Sequence, residues 1–124
     1  MSYNVGMKEE SMAALTKLVL EFRAARDWKQ FHTPKELAIS LVVEAAELLE
    51  IFQWKQGEEL EGVVKKRRTE IADELADVMH SILLLGHDLK IDLGEALVEK
   101  MRKMEMKYPV AKAKGKPRKY NELD

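Results

Sequence analysis

Apolar residues recur at three- and four-residue steps in four parts of the chain, which is the spacing of one face of an α-helix. The four segments span approximately residues 8–26, 34–54, 63–89 and 92–107. No segment alternates apolar and polar positions well enough to predict a β-strand. The pattern therefore predicts an all-α protein.

The polar residues between these segments predict where the helices begin and end. Thr33-Pro34-Lys35-Glu36 combines an N-cap threonine, a proline at the first position and a capping-box glutamate. Asp92 and Glu95 predict a similar cap for the fourth helix, and Pro109 ends it. Gln56-Gly57 ends the second helix, and residues 58–62 are expected to form a charged connector. Four helices with short connections predict an antiparallel four-helix bundle.

The C-terminal tail is basic and contains Gly115 and Pro117, so residues 110–124 are expected to be flexible or only locally ordered. Two interpretations remain open: a solvated extension, or a segment that docks Lys119-Tyr120 on a neighbouring subunit. We expect a single domain over residues 1–124, with its helical core at about 8–109.

Composition narrows the function. The 124 residues carry a formal net charge of −1, so no global positive field would attract a nucleic acid polymer or an anionic membrane. The absence of cysteine excludes disulfides and thiolate metal sites, and it is compatible with a cytoplasmic protein. The N-terminus does not resemble a secretory signal, and the apolar run at 81–86 is far too short for a membrane span.

Four carboxylates lie beside apolar stripes rather than opposite them. Glu44 and Glu47 form an i, i+3 pair on the second helix, and Glu74 and Asp77 form another on the third. No lysine or arginine lies between residues 36 and 55, so salt bridges within the helix cannot neutralise the first pair. Hard divalent cations would neutralise the cluster, with water and substrate phosphates completing the shell. The alternative is that these are ordinary acids at the edge of a solvated face.

The ordered motifs resemble a known family. Glu44-Ala45-Ala46-Glu47 followed by Glu74-Leu75-Ala76-Asp77 is similar to the ExxE…ExxD signature of MazG-like nucleotide pyrophosphohydrolases. The closer likeness is to the dCTP pyrophosphatase branch, and it covers roughly residues 15–123. Its further matches are RDWKQFH at 26–32, FQWK at 52–55 and KYPV at 107–110.

The resemblance implies an assignment for most of the site. The four carboxylates would hold Mg²⁺, for which Mn²⁺ can substitute, and the partner would be a nucleoside triphosphate. The aromatic rings of Trp28 and Trp54 would enclose the base. The remaining implied substrate-binding positions are His32, Lys55, Ser81, Lys100, Lys107 and Tyr108. Family members assemble as homotetramers with sites shared between subunits, so a homotetramer is expected here.

Three positions depart from the dCTP enzymes that the chain resembles. Val19 replaces a histidine near the base or sugar, Ser81 replaces a tyrosine, and Met104 replaces a common asparagine. These changes affect contacts with the nucleotide and leave the metal ligands intact. The other two histidines, His80 and His87, are interpreted as surface or satisfied bundle residues.

The expected reaction is hydrolysis of dCTP, or a modified dCTP, to monophosphate and pyrophosphate by metal-assisted attack of water at the α-phosphate. Glu47 is the first candidate for orienting or deprotonating that water, and Glu50, one turn away, is the second. A broader nucleoside triphosphate preference is the alternative substrate range.

Two other functions compete with this reaction. A di-iron carboxylate oxidase would need Glu-x-x-His motifs on two helices, and only Asp77-x-x-His80 comes close. A non-catalytic helical oligomerisation module would need the acids only for solubility.

Overall fold

The computed structural model describes residues 11–123, and every regular element in that part of the chain is helical. The α-helices are α1 (Met12–Ala25), α2 (Pro34–Phe52), α3 (Gly57–Lys66), α4 (Arg68–Asp88), α5 (Leu93–Lys107) and α6 (Val110–Ala113), with short 3₁₀ turns at Lys29–Phe31 and Tyr120–Glu122. The all-α prediction is confirmed. The expected start of the first helix near residue 8 lies outside the described residues, and the antiparallel arrangement remains a prediction.

Side-chain caps begin the helices where the polar residues predicted them. The Thr33 hydroxyl accepts a hydrogen bond from the Glu36 amide at 3.1 Å, with Pro34 as the first residue of α2. The Asp92 carboxylate accepts one from the Glu95 amide at 2.9 Å at the start of α5. Each cap satisfies an amide that has no partner inside its helix.

The predicted boundaries of the connector (58–62) and of the third helix (about 63–89) were wrong. Residues 57–66 form the helix α3, the chain breaks at Arg67 (φ −110°, ψ 28°), and α4 begins at Arg68. Charge along the segment explains the difference. Glu58 and Glu59 occupy the first turn of α3 and Lys65 and Lys66 its last turn, so each end carries the sign that the helix dipole favours. A highly charged segment therefore forms a helix here rather than a loop.

The described chain divides into two units, residues 11–90 and 91–123. In the first unit α2 and α4 make the most extensive helix pair, α1 packs on α4, and α3 contacts both α2 and α4. Its buried apolar core is small and comes from α2 and α4: Leu37, Ile51, Leu83 and Leu84. The paired helices α2 and α4 are the ones that carry the acidic motifs.

A buried ion pair ties α1 to the end of α4. The Arg23 guanidinium donates two hydrogen bonds of 2.8 Å to the Asp88 carboxylate, and the side chains are only 4% and 9% exposed. The pair raises the pKa of Arg23 and lowers the pKa of Asp88, so both groups stay charged. A two-pronged contact of this kind fixes the orientation of α1 on α4.

The second unit contains α5, α6 and the terminal 3₁₀ turn. Tyr108 and Tyr120 pack edge to face with ring centroids 6.2 Å apart, and the Lys107 ammonium lies 4.7 Å from the centre of the Tyr120 ring. The tail is therefore locally ordered up to residue 123. Throughout residues 11–123, none of the helices combines the length and apolar character that a bilayer span requires.

Candidate metal centre and adjoining pocket

The pairing of α2 with α4 brings the two acidic motifs together. Oxygen atoms of Glu44, Glu74 and Asp77 all lie within 4.8 Å of one another. Glu44 and Glu74 are half-buried and Asp77 is exposed. Three convergent carboxylates at this distance can hold a metal ion.

The pKa values show that Glu47 belongs to the same cluster. Burial, together with the neighbouring carboxylates Glu47 and Asp77, raises the pKa of Glu44 to about 7. Burial also raises the pKa of Glu74, with further contributions from Glu47 and Asp77. Glu47 of α2 thus affects the pKa of Glu74 on α4, and Asp77 of α4 affects the pKa of Glu44 on α2.

Two oxygens of the cluster have no hydrogen-bond partner. Glu44 Oε2 and Glu74 Oε2 are both buried and unpaired. A buried carboxylate oxygen without a partner is costly, and a cation ligated by oxygen would remove that cost. The donor set, carboxylate oxygens only, fits a hard divalent ion such as Mg²⁺.

A pocket of about 630 Å³ opens beside the cluster, between α1 and α4. Its lining residues are Leu18, Val19 and Phe22 from α1 and Ala76, Asp77 and His80 from α4. Asp77 contributes to both the pocket and the carboxylate cluster, so a ligand in the pocket would lie next to the metal centre. A mainly apolar pocket of this volume with a few polar groups is typical of a small-molecule site.

His80 lines the pocket, whereas the sequence pattern predicted a surface residue or a satisfied residue of the bundle. It is half-buried in the pocket wall, and the available signal was its position three residues after Asp77, on the same helix face. Burial lowers the pKa of His80, opposed by the charge of Asp77 and assisted by those of His32 and Arg23. His32 is also half-buried, and its Nδ1 atom is buried without a hydrogen-bond partner.

The two tryptophans occupy different surroundings. Trp28 packs edge to face on Phe22, which lines the pocket, with ring centroids 5.7 Å apart. Its side chain remains 44% exposed. Trp54 is 87% exposed and has a φ of +69°, a conformation that a bulky residue rarely adopts. No contact between the two rings is present in the part of the chain that the structure describes.

The remaining predicted positions are spread over both units. Lys55 is half-buried, and its ammonium lies 3.7 Å from the Glu59 carboxylate. Ser81 is 4% exposed inside α4 and does not line the pocket, whereas Glu50 is exposed on α2. In the second unit Lys100 and Lys107 are exposed and Tyr108 is half-buried. The substrate-binding roles of these residues remain predictions.

Comparison with known proteins places the chain in a family. The model of the MazG-like family matches residues 39–123, a span that includes all four clustered carboxylates. The chain belongs to the MazG-like family. The family assignment agrees with the resemblance seen in the acidic motifs.

Individual MazG-like relatives agree in both sequence and fold. The chain is 38% identical to human dCTP pyrophosphatase 1 and 37% identical to the mouse protein, in each case over 93% of this chain and 69% of the relative. It is also similar to the crystal structure of a pyrophosphatase from Archaeoglobus fulgidus, at 41% identity and a TM-score of 0.76. That alignment covers 86% of this chain and 99% of the archaeal one.

Proposed function

We propose that this MazG-like nucleotide pyrophosphohydrolase converts dCTP, or a modified dCTP, to the monophosphate and pyrophosphate. The observation that carries the proposal is the carboxylate cluster, with its two buried unpaired oxygens, beside a pocket large enough for a ligand. The choice of a cytosine nucleotide is supported by the relatives named dCTP pyrophosphatase 1. Clearing such nucleotides from the cytoplasmic pool would be the corresponding cellular role.

Glu44, Glu47, Glu74 and Asp77 would hold Mg²⁺, with Mn²⁺ as a substitute. When bound, the metal would neutralise negative charge on the triphosphate and polarise the α-phosphate. The cluster suits this task because its oxygens come from two helices that pack directly on each other.

Glu47 is the proposed residue that orients or deprotonates the attacking water. It is exposed on α2, which leaves it accessible to water, and it interacts with both Glu44 and Glu74. Glu50 lies one turn further along α2 and remains the second candidate. Lys55, Lys100, Lys107 and Tyr108 are proposed to contact the triphosphate, and Trp28, His32 and Trp54 the nucleoside.

A homotetramer with shared sites completes the proposal. α2 and α4 each expose large apolar side chains, including Val42 (65%), Leu49 (57%) and Leu75 (53%). Exposed apolar area on two adjacent helices favours association. Trp54 is exposed and has a positive φ, a combination that is typical of functional positions. We propose that a second copy of the chain covers its ring in the assembly.

A broader nucleoside triphosphate preference is the second candidate. One observation favours it: the α1 wall of the pocket consists of Leu18, Val19 and Phe22, which offer no side-chain hydrogen bond to distinguish one base from another. Turnover of several nucleotides with similar kcat/KM would support it over the dCTP assignment.

The test of the proposed function compares the wild type with Glu47→Gln and Glu50→Gln, using dCTP with Mg²⁺ and identifying the phosphorus-containing products. The two variants make the same chemical change one turn apart on α2. We expect Glu47→Gln to lower kcat by at least about a hundredfold with the fold retained, because it removes the proposed general base. Full activity in Glu47→Gln together with loss in Glu50→Gln would reverse the assignment. Full activity in both would contradict the carboxylate mechanism.

A further inference from the structure

One polar side chain of the pocket has no role in the reaction described above. Four of the six lining residues are apolar, and Asp77 belongs to the carboxylate cluster. His80 is the remaining polar lining residue among those the structure describes. Its ring is therefore the one group in the wall that can form a hydrogen bond with a ligand without displacing a metal ligand.

The surroundings of His80 leave that hydrogen bond free. Within residues 11–123 the structure gives the His80 ring no hydrogen-bond partner and no ion pair. Besides burial, the charge of Arg23 lowers the pKa of His80, but the Arg23 guanidinium donates its hydrogen bonds to both oxygens of Asp88. The imidazole is half-buried in the pocket wall, so a ring nitrogen remains available to pair with a polar group of a ligand.

The position of His80 on α4 indicates which part of a nucleotide it would meet. It is the third residue after Asp77, a step that corresponds to about 4.5 Å along the helix axis on the same face. With the triphosphate held at the carboxylates, the group next to the α-phosphate is the sugar, and the base lies further away. His80 is thus one helical turn from the phosphate end of the site.

We propose that His80 hydrogen-bonds the 3′-hydroxyl of the nucleotide sugar and is the residue by which the enzyme selects an intact sugar. This inference rests on the proposed function, because it assumes that the pocket receives the nucleoside of a triphosphate held at the cluster. His80 acts as a specificity residue and takes no part in the attack on phosphorus. A neutral imidazole has one donor and one acceptor nitrogen, so it can bind a hydroxyl in either direction.

The test compares dCTP with 2′,3′-dideoxy-CTP, which lacks only the 3′-hydroxyl, in the wild type, His80→Leu and His80→Gln. We expect the wild type to prefer dCTP by about tenfold to a hundredfold in kcat/KM, the range for a lost hydrogen bond that leaves one polar group of the site unpaired. In His80→Leu the dCTP value should fall to that of the dideoxy substrate, whose own value stays unchanged. His80→Gln retains a donor and an acceptor and should recover part of the preference.

Two controls separate specificity from structural damage. His87→Leu removes an exposed histidine of the same helix and should leave both substrates unaffected. Mn²⁺ affinity and thermal unfolding should be the same in His80→Gln as in the wild type. An equal loss on both substrates in His80→Leu, or an unchanged preference, would overturn the proposal. A change in the dCTP-to-dTTP ratio with no change in the dideoxy ratio would overturn it as well.

Binding distinguishes failure of this inference from failure of the proposed function. The α,β-imido analogues of dCTP and dideoxy-CTP cannot be cleaved between these phosphates, and calorimetry with Mg²⁺ measures their affinities directly. A preference for the dCTP analogue that His80→Leu abolishes would support the role of His80 even in a protein that hydrolyses neither nucleotide. Equal affinity for the two analogues, or no binding of either, would overturn it.

Discussion

The spacing of the carboxylates along each helix determines which helix face they share. Their pKa values and unpaired oxygens depend also on the helix packed against them. Glu44 and Glu47 share a face of α2 because they are three residues apart, and this was predictable from the sequence. The raised pKa of Glu44 comes first from its burial and then from neighbouring carboxylates, including Asp77 of α4. The unpaired Glu44 Oε2 and Glu74 Oε2 likewise become visible only once the helices are packed.

The raised pKa of Glu44 gives a prediction for the metal-free protein. Its folded-state pKa of about 7 lies above the ordinary 4.5, so the folded state binds the proton more tightly than the unfolded state. The contribution of Glu44 is therefore neutral below about pH 4.5. It becomes destabilising as pH rises from 4.5 to 7, and it stays so above pH 7.

Glu44→Gln removes this effect. In EDTA, we expect the variant to be more stable than the wild type at about pH 8, with the difference shrinking towards pH 4.5. Thermal unfolding of both proteins across this range measures it. The exposed substitution Glu61→Gln, beyond the first turn of α3, serves as the control and should show no such trend. A Glu44→Gln advantage that grows towards low pH would contradict the burial of this carboxylate.

The position of His80 in the pocket wall could not be predicted from the sequence alone. A histidine on a bundle helix is most simply interpreted as a surface or packing residue, and its position three residues after Asp77 does not by itself distinguish a pocket wall from the solvent. The distinction comes from the way α1 packs on α4, which leaves a cavity bordered by Val19 and His80. Inter-helix geometry of this kind cannot be obtained from periodicity.

At the level of elements, local capping chemistry made some boundaries predictable and others not. The starts of α2 and α5 were predictable because Thr33 and Asp92 satisfy backbone amides within three residues. The division of residues 57–88 into α3 and α4 was not, because Arg67 provides neither a proline nor a side-chain cap at the break. The apolar stripe of α4 gave no sign of where the preceding helix ended.

The Thr33 cap is expected to stabilise the helix that carries Glu44 and Glu47. Thr33→Ala removes the acceptor of the Glu36 amide and should lower the free energy of unfolding by about 1 kcal/mol. Thr16→Ala is the matched control, since its hydroxyl bonds a backbone carbonyl inside α1 and caps no helix end. Chemical denaturation measures both variants. Equal stability of Thr33→Ala and the wild type would contradict the role assigned to the cap.

At the level of the whole molecule, the proposed assembly explains the exposed apolar residues of α2 and α4. A charge on that surface should prevent association, because the interface would have to bury it without a partner. We expect Val42→Glu to shift the protein from a tetramer to smaller species while its helix content is preserved. Sedimentation velocity measures this shift.

The control for the assembly prediction is Lys17→Glu. Like Val42→Glu, it makes the net charge of the chain more negative, but at an exposed position of α1. It should leave the sedimentation profile unchanged. A wild-type protein that sediments as a monomer, or a tetramer that persists in Val42→Glu, would contradict the proposed interface on α2.

The most direct test of the proposed reaction follows the oxygen of the attacking water. The protein is incubated with dCTP and Mg²⁺ in ¹⁸O-labelled water, and the products are analysed by mass spectrometry. Attack at the α-phosphate predicts dCMP that carries one ¹⁸O atom, together with unlabelled pyrophosphate. Label in the pyrophosphate would mean attack at the β-phosphate, and dCDP with labelled orthophosphate would mean attack at the γ-phosphate. Either result would contradict the reaction proposed for this carboxylate site.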